Sequence, residues 1–228
     1  MPSLLRYIFL LILKYLSKAF YRYEVQWPEG DRRIRWNDVK LLVLLNHTSL
    51  YEFLYLAILP NSFLRKLSKR MVVPAADKTI NRPVVGTFFK MFTPGMVSIT
   101  RKRDDSWSNF LESIYEDSVI LIAPEGRMMR KTGLDLEGNK MTVRGGVTDI
   151  LLGLDKGQMV IAYSGGLHHV QIPGETFPRF FKTLKMNIET YEIPEYKALF
   201  KDAPGREEWK REVLEDMQHR LETKPPKV

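Results

Sequence analysis

Lys40-Leu41-Leu42-Val43-Leu44-Leu45 runs directly into Asn46-His47-Thr48-Ser49-Leu50-Tyr51-Glu52. An unbroken apolar run of that length, ending on a polar Asn-His pair, predicts a buried strand that opens into a loop. Ser49 is a candidate N-cap for a helix over 50–59. Working outward, Met71–Pro74, Met96–Ile99, Ser118–Ile122, Met159–Tyr163 and Leu184–Tyr191 read as further strands. Between and after them, helices are predicted around Val84–Met91, Ser106–Glu116 and Arg144–Leu154, and over Arg206–Leu221, where Lys224-Pro225-Pro226 ends the last one. Tyr23–Trp27 and Arg32–Trp36, on either side of Pro28-Glu29-Gly30, read as a short hairpin.

Strands alternating with helices predict an α/β fold, a single domain whose largely parallel or mixed central sheet is flanked by helices. In such sheets chemistry collects in loops beyond the carboxyl ends of strands. Asn46-His47, Ile99-Thr100-Arg101 and Ala123-Pro124-Glu125-Gly126-Arg127 each follow a predicted strand, so three polar loops are expected along one sheet edge.

The first residues belong to something else. Leu5, Ile8, Phe9, Ile12 and Leu16 occupy one half of a helical circumference, and Arg6, Lys14, Lys18 and Arg22 the other. The uncharged run is much shorter than the roughly 20 residues a bilayer span requires. Residues 1–22 therefore read as an amphipathic helix lying in a membrane interface, with Tyr7, Tyr15, Tyr21 and Tyr23 at headgroup level, ahead of a domain over 23–228. A helix docked on its own domain is the competing reading. No small-residue cleavage site marks a signal peptide.

A net charge of +8 and a pI near 9.5 call for an anionic partner, and an anionic membrane surface fits the N-terminal helix. The basic clusters, at Arg32–Arg35, Arg65–Arg70, Arg101–Arg103 and Arg127–Lys131, are scattered between apolar segments. No groove-reading or base-stacking module accompanies them, which argues against nucleic acid. The chain has no cysteine, which excludes disulfides, thiolate zinc sites and a thiol nucleophile. His168-His169 lacks further ligands at metal-site spacing, and Ser164 lacks the preceding glycine of a nucleophile elbow, so neither a metal nor a serine nucleophile is expected.

His47, placed just after a buried strand with Glu52 five positions on, suits general-base catalysis. The carboxylate accepts one ring N–H and fixes the tautomer, leaving the other nitrogen to take a hydroxyl proton. Taken alone, the segment leaves open a structural histidine beside a surface glutamate.

From about Leu41 to Tyr163 the chain resembles the lysophosphatidic acid acyltransferases, a glycerolipid acyltransferase family. The resemblance rests on Asn46-His47 with a carboxylate at Glu52, then Ile99-Thr100-Arg101, then Pro124-Glu125-Gly126-Arg127, in family order. Ala76-Asp77-Lys78 ahead of Pro83-Val84-Val85-Gly86, and Val143-Arg144-Gly145-Gly146, echo two further family segments. It implies direct acyl transfer from an acyl thioester, on coenzyme A or acyl carrier protein, to the hydroxyl of a lysophospholipid or related lipid, with no other cofactor. His47 is then the general base oriented by Glu52, and Asn46, Thr48, Lys78, Arg101, Glu125, Gly126 and Arg127 form the substrate-binding set, with Arg101 as the phosphate ligand. It places the chain peripherally on the cytoplasmic face of a membrane.

The chain departs from the family pattern at several positions. Glu52 stands where the family has Asp, Arg127 where it has Thr, Met128 where it has Arg and Ala123 where it has Phe; Val160-Ile161-Ala162 lacks the family's proline. A non-catalytic lipid-binding or scaffolding protein of the same fold, or a thioester hydrolase, are the alternative readings.

Overall fold

The computed structural model describes residues 1–30, 33–100, 104–175 and 177–227. In chain order its elements are α1 (Ser3–Phe20), β1 (Arg22–Gln26), β2 (Val39–Leu45), a 3-10 helix (Leu50–Ile58), α2 (Asn61–Arg70), β3 (Met71–Ala76), α3 (Asp77–Ile80) and α4 (Pro83–Phe92). They continue with β4 (Gly95–Ile99), α5 (Ser106–Glu112), β5 (Val119–Ile122), α6 (Gly146–Leu152), β6 (Gln158–Ser164), β7 (Thr183–Glu192), α7 (Ile193–Ala198) and α8 (Arg206–Thr223). Two compact units emerge: Met1–Ala19 with Leu54–Ile122, and Phe20–Phe53 with Ala123–Val228.

The second unit carries the strand order β1-β7-β6-β2. β2 runs parallel to β6, with Leu41 opposite Met159 and Leu45 opposite Tyr163. β6 is antiparallel to β7, and β1 is parallel to β7. The sheet is mixed, as expected. The expected hairpin is corrected here: β1 pairs with β7, some 160 residues later in the chain, and Arg33–Trp36 carries no strand. The alternating pattern of β1 was visible locally, but its partner was not.

Along β2, Val39, Leu41, Val43 and Leu45 are buried. α8 sends Val213 and Met217 into the core, and its charges close on the sheet. Arg220 donates through Nε to Asp216 at 2.6 Å and through Nη1 to the Tyr191 hydroxyl at 2.9 Å, and it pairs with Glu189. Tyr163, on β6, donates its hydroxyl to the same Glu189 at 2.7 Å. These partners turn a helix that reads as charged on all sides into one with a fixed inner face.

In the first unit β3 lies between β5 and β4, parallel to both. Two of its helices, α2 and α3, were not foreseen. Only Phe63, Leu64 and Leu67 of α2 are apolar core residues, set among Lys and Arg. Gly86, in α4, is a packing glycine: a Cβ there would collide with the carbonyl oxygen of Ile80, at the end of α3. That gives the Pro83-Val84-Val85-Gly86 segment a physical reason.

α1 docks on this unit in an unexpected orientation. Leu10 is fully buried, and Phe9 lies 5.9 Å from the Phe88 ring and 6.3 Å from Phe92. Lys14 is only 6% exposed; its Nζ donates to the carbonyl of Leu59 at 2.6 Å and to Asn61 Oδ1 at 2.7 Å. Burial lowers its pKa, and Lys18 adds to the effect. Leu4, Leu5, Ile8, Ile12 and Leu16 meanwhile face outward. A charged residue of the polar half thus holds the helix to the protein, and most of the apolar half is left exposed. Among the described residues no helix is long and apolar enough to cross a membrane.

Candidate active site

β2 ends at Leu45, and the chain turns sharply at Asn46, whose φ is +66°. Asparagine is one of the few residues that tolerate this left-handed conformation. Its side-chain amide donates to the carbonyl of Ser164 at 2.7 Å, at the end of β6. The turn therefore grows from the parallel pairing of β2 with β6, and it delivers His47 just beyond the carboxyl end of β2.

Glu52 reaches back from the first turn of the 3-10 helix and makes two bonds. Its Oε2 accepts the Nδ1–H of His47, and its Oε1 accepts the backbone N–H of Thr48 at 2.8 Å. The second bond works as a capping contact that holds the carboxylate in place. Ser49 Oγ accepts from Tyr51 N–H at 3.1 Å, so the serine does cap, although the helix it starts is 3-10. The His47 side chain is 19% exposed and that of Glu52 8%. Among the described residues His47 Nε2 has no hydrogen-bond partner. Burial opposes charge on the imidazole, but the charge and hydrogen bond of Glu52, with Glu125 behind them, raise its pKa above the ordinary value.

Glu125 is fully buried. Its Oε1 accepts the backbone N–H of Asn46 at 2.8 Å, and Oε1 and Oε2 share the N–H of His47 at 3.3 and 3.2 Å. Burial pushes this carboxyl up to about 7; the positive charge and N–H of His47 and the N–H of Asn46 pull it down, while Glu52 pushes it up. The same segment is tied to the histidine again, since Met129 donates its N–H to the carbonyl of His47 at 2.8 Å. His168 Nε2 lies 2.8 Å from the Met129 carbonyl.

Thr48 is also buried, and its hydroxyl accepts the N–H of Leu167 at 2.8 Å. Gly126 has φ +64°, and its N–H closes a turn onto Ala123 at 3.0 Å, so that donor is occupied. The Arg144 side chain passes close to Gly126, and the Arg144 N–H donates to Pro124 at 2.9 Å. The third motif and the later basic-glycine segment are thus neighbours. Arg127 pairs with the buried carboxylate of Asp135, and its Nε is buried without a hydrogen-bond partner among the described residues. Asp135 is fixed in turn by the N–H groups of Glu137 and Asn139, each at 2.8 Å.

Of the expected site residues, Asn46, His47, Thr48, Glu52, Glu125, Gly126 and Arg127 all belong to the second unit, and the first five are joined by hydrogen bonds. Lys78 is exposed on α3 in the first unit, its N–H bonded to Asp77. Arg101 lies outside the described residues. Sequence reasoning missed Met129, Asp135, Ser164 and Leu167. Three of these act through backbone groups and leave no signature in residue type. Asp135 sits in a polar turn with nothing to point it at Arg127.

The α/β fold presents a carboxylate-held histidine at the carboxyl end of a strand, one ring nitrogen having no hydrogen-bond partner among the described residues. Its family follows from the sequence itself. The chain belongs to the acyltransferase family, whose model matches residues 27–163, more than half of its length. No curated protein matches the sequence. The solved structure of the 1-acyl-sn-glycerophosphate (LPA) acyltransferase PlsC from Thermotoga maritima is similar, with a TM-score of 0.56 at 17% identity, over 97% of this chain and 83% of that one. That likeness is one of fold, and it agrees with the α/β class read from the strand and helix pattern.

Proposed function

We propose that this protein is an O-acyltransferase that moves a fatty acyl group from an acyl thioester, carried on coenzyme A or acyl carrier protein, to the hydroxyl of a lysophospholipid or related lipid. The observation that carries the reading is the His47–Glu52 pair, with Nδ1 committed to the carboxylate and Nε2 without a partner among the described residues. Nε2 takes the proton from the acceptor hydroxyl as its oxygen attacks the thioester carbonyl carbon. The tetrahedral intermediate collapses, the C–S bond breaks, and the departing thiolate takes the proton back from the imidazolium. Glu52 holds the tautomer and stabilises the imidazolium. Glu125, with no surface open to a ligand, acts here as a positioning residue: its carboxylate ties down the two N–H groups that place His47. Arg101 and Lys78 are proposed to bind the acceptor phosphate, the chemistry for which an arginine fork is suited. Glycerolipid specificity draws support from the ordered motifs and from the activity of the similar Thermotoga maritima protein.

The reaction is proposed to take place on an anionic membrane surface at the cytoplasmic side. The outward row Leu4, Leu5, Ile8, Ile12 and Leu16 on α1 supports this, because these apolar side chains stay exposed while Lys14 of the polar half is turned inward.

The test is thiol release and lipid product formation with acyl-CoA and a panel of lysophospholipids, wild type against His47→Ala. Acylated lipid from the wild type and none from the variant is expected. Equal turnover in the two removes His47 from the mechanism. Free fatty acid without acylated lipid points instead to hydrolysis, and vesicle binding without any thiol release to a non-catalytic role.

A further inference from the structure

The second unit carries its own exposed aromatic cluster. Phe177 is 80% exposed, Phe181 73% and Phe180 50%, and Phe20, the last residue of α1, is exposed beside them. The Phe20 ring centroid lies 5.1 Å from that of Phe180 and 6.1 Å from that of Phe181. Three exposed phenylalanines within five residues, two of them in ring contact with Phe20, are an unusual load for a face meant for water.

The backbone fixes the cluster in place. Phe181 has φ +58°, a conformation that an aromatic residue adopts only at a cost. Its N–H donates to the Phe20 carbonyl at 2.8 Å, and the N–H of Arg22 donates to the Lys182 carbonyl at 3.1 Å, at the point where β1 and β7 begin to pair. Arg179 donates its N–H to the Val170 carbonyl at 2.7 Å. These bonds fix the turn from which the exposed Phe181 ring projects.

Two observations identify what covers the rings. The neighbouring sequence is cationic: Arg22 and Lys182 are exposed beside Phe20 and Phe181 in a chain of net charge +8, and the carboxylate closest in sequence, Glu175, is neutralised by Arg179 at 2.6 Å. In addition, Leu4, Ile8, Ile12, Leu16 and Phe20 follow one another at four-residue steps along the sequence of α1, and all are exposed. Apolar rings flanked in sequence by cations match the interface of an anionic bilayer.

We propose that Phe177, Phe180 and Phe181, with Phe20, form a second membrane-inserting element, a wedge that seats the catalytic unit on the bilayer. This rests on the bilayer reading of α1, and it adds a contact made by the unit that holds His47.

The absence of cysteine makes the test clean, since one introduced thiol takes one environment-sensitive fluorophore. Phe177→Cys and Ile12→Cys are labelled separately in the full chain and mixed with vesicles of equal parts phosphatidylcholine and phosphatidylglycerol. Blue-shifted, several-fold brighter emission from both labels is expected. The pair Phe177→Ser with Phe181→Asn, which keeps a residue tolerant of positive φ at 181, is expected to weaken vesicle binding roughly tenfold with an unchanged melting curve. A label at 177 that stays silent while the label at 12 responds overturns the wedge alone. Silence at both positions overturns the α1 reading and the wedge with it. A response at 177 that needs no vesicles and grows with protein concentration, or that needs only acyl carrier protein, identifies another occupant and equally overturns the proposal.

Discussion

Replacing Glu125 by glutamine separates positioning from substrate binding. Glutamine keeps the volume and one carbonyl oxygen, which can still accept from Asn46 N–H, now 2.8 Å from Oε1. Its amide nitrogen replaces Oε2 and sets its own N–H groups against the N–H of His47, which loses its 3.2 Å acceptor and keeps only the longer contact to Oε1 at 3.3 Å. A buried N–H left poorly satisfied and facing a second donor costs about 1–3 kcal/mol. Spent on the placement of the histidine loop, that is roughly a tenfold to hundredfold loss in kcat. Because Glu125 is fully buried, KM should stay within about a factor of two, the mark of an interaction that does not touch substrate. Glu125→Ala strips the partner from both N–H groups and opens a cavity, so it is expected to lower Tm as well as kcat. Steady-state thiol release and thermal melts measure both quantities. A raised KM with unchanged kcat would refute the reasoning, because it would mean that the carboxylate reads the acceptor.

The raised pKa of His47 predicts that kcat/KM rises with pH through a midpoint above 6.5, the ordinary histidine value. Glu52→Gln should move that midpoint down and depress the plateau, whereas Glu52→Asp should preserve the profile; an unmoved midpoint in the glutamine variant counts against the dyad. Glu125 titrates near 7 in the folded chain against 4.5 ordinarily, so the folded state binds the extra proton between those values. Its contribution to stability is therefore full at low pH and lost as pH rises toward 7, and Glu125→Gln should flatten that part of a stability curve measured by denaturant titration. Arg220→Leu takes the shared cation from Glu189 and Asp216, though Glu189 keeps Lys224 at 3.0 Å, and is expected to cost about 1–3 kcal/mol in urea unfolding. Lys14→Met orphans the Leu59 carbonyl and should loosen α1 by about 1–3 kcal/mol, seen as faster amide exchange in that helix.

What the sequence determined by itself were the features written in nearest neighbours and short periods. The apolar run ending at Leu45, the strands over 71–76, 119–122 and 158–164, and the charged C-terminal helix could all be read because each depends on residues close together in the chain. The order of short motifs likewise led to the acyltransferase family before any geometry was known. The His47–Glu52 contact was legible too, being only five residues long.

The tertiary structure decided what depends on residues far apart. β1 could not show that its partner lies near the far end of the chain, because a strand's sequence encodes which face is apolar and not who pairs with its edge. Helical periodicity placed Lys14 on the polar side of α1, but only packing could turn that side inward and hand the apolar row to the exterior. Glu125 read as one more polar residue of a binding loop; only the folded chain brings it beneath the N–H groups of Asn46 and His47. The physical reason is common to all three. Periodicity and propensity are local and survive in the unfolded sequence, whereas burial, hydrogen-bond partners and shifted pKa values belong to surroundings that exist only once the chain has folded.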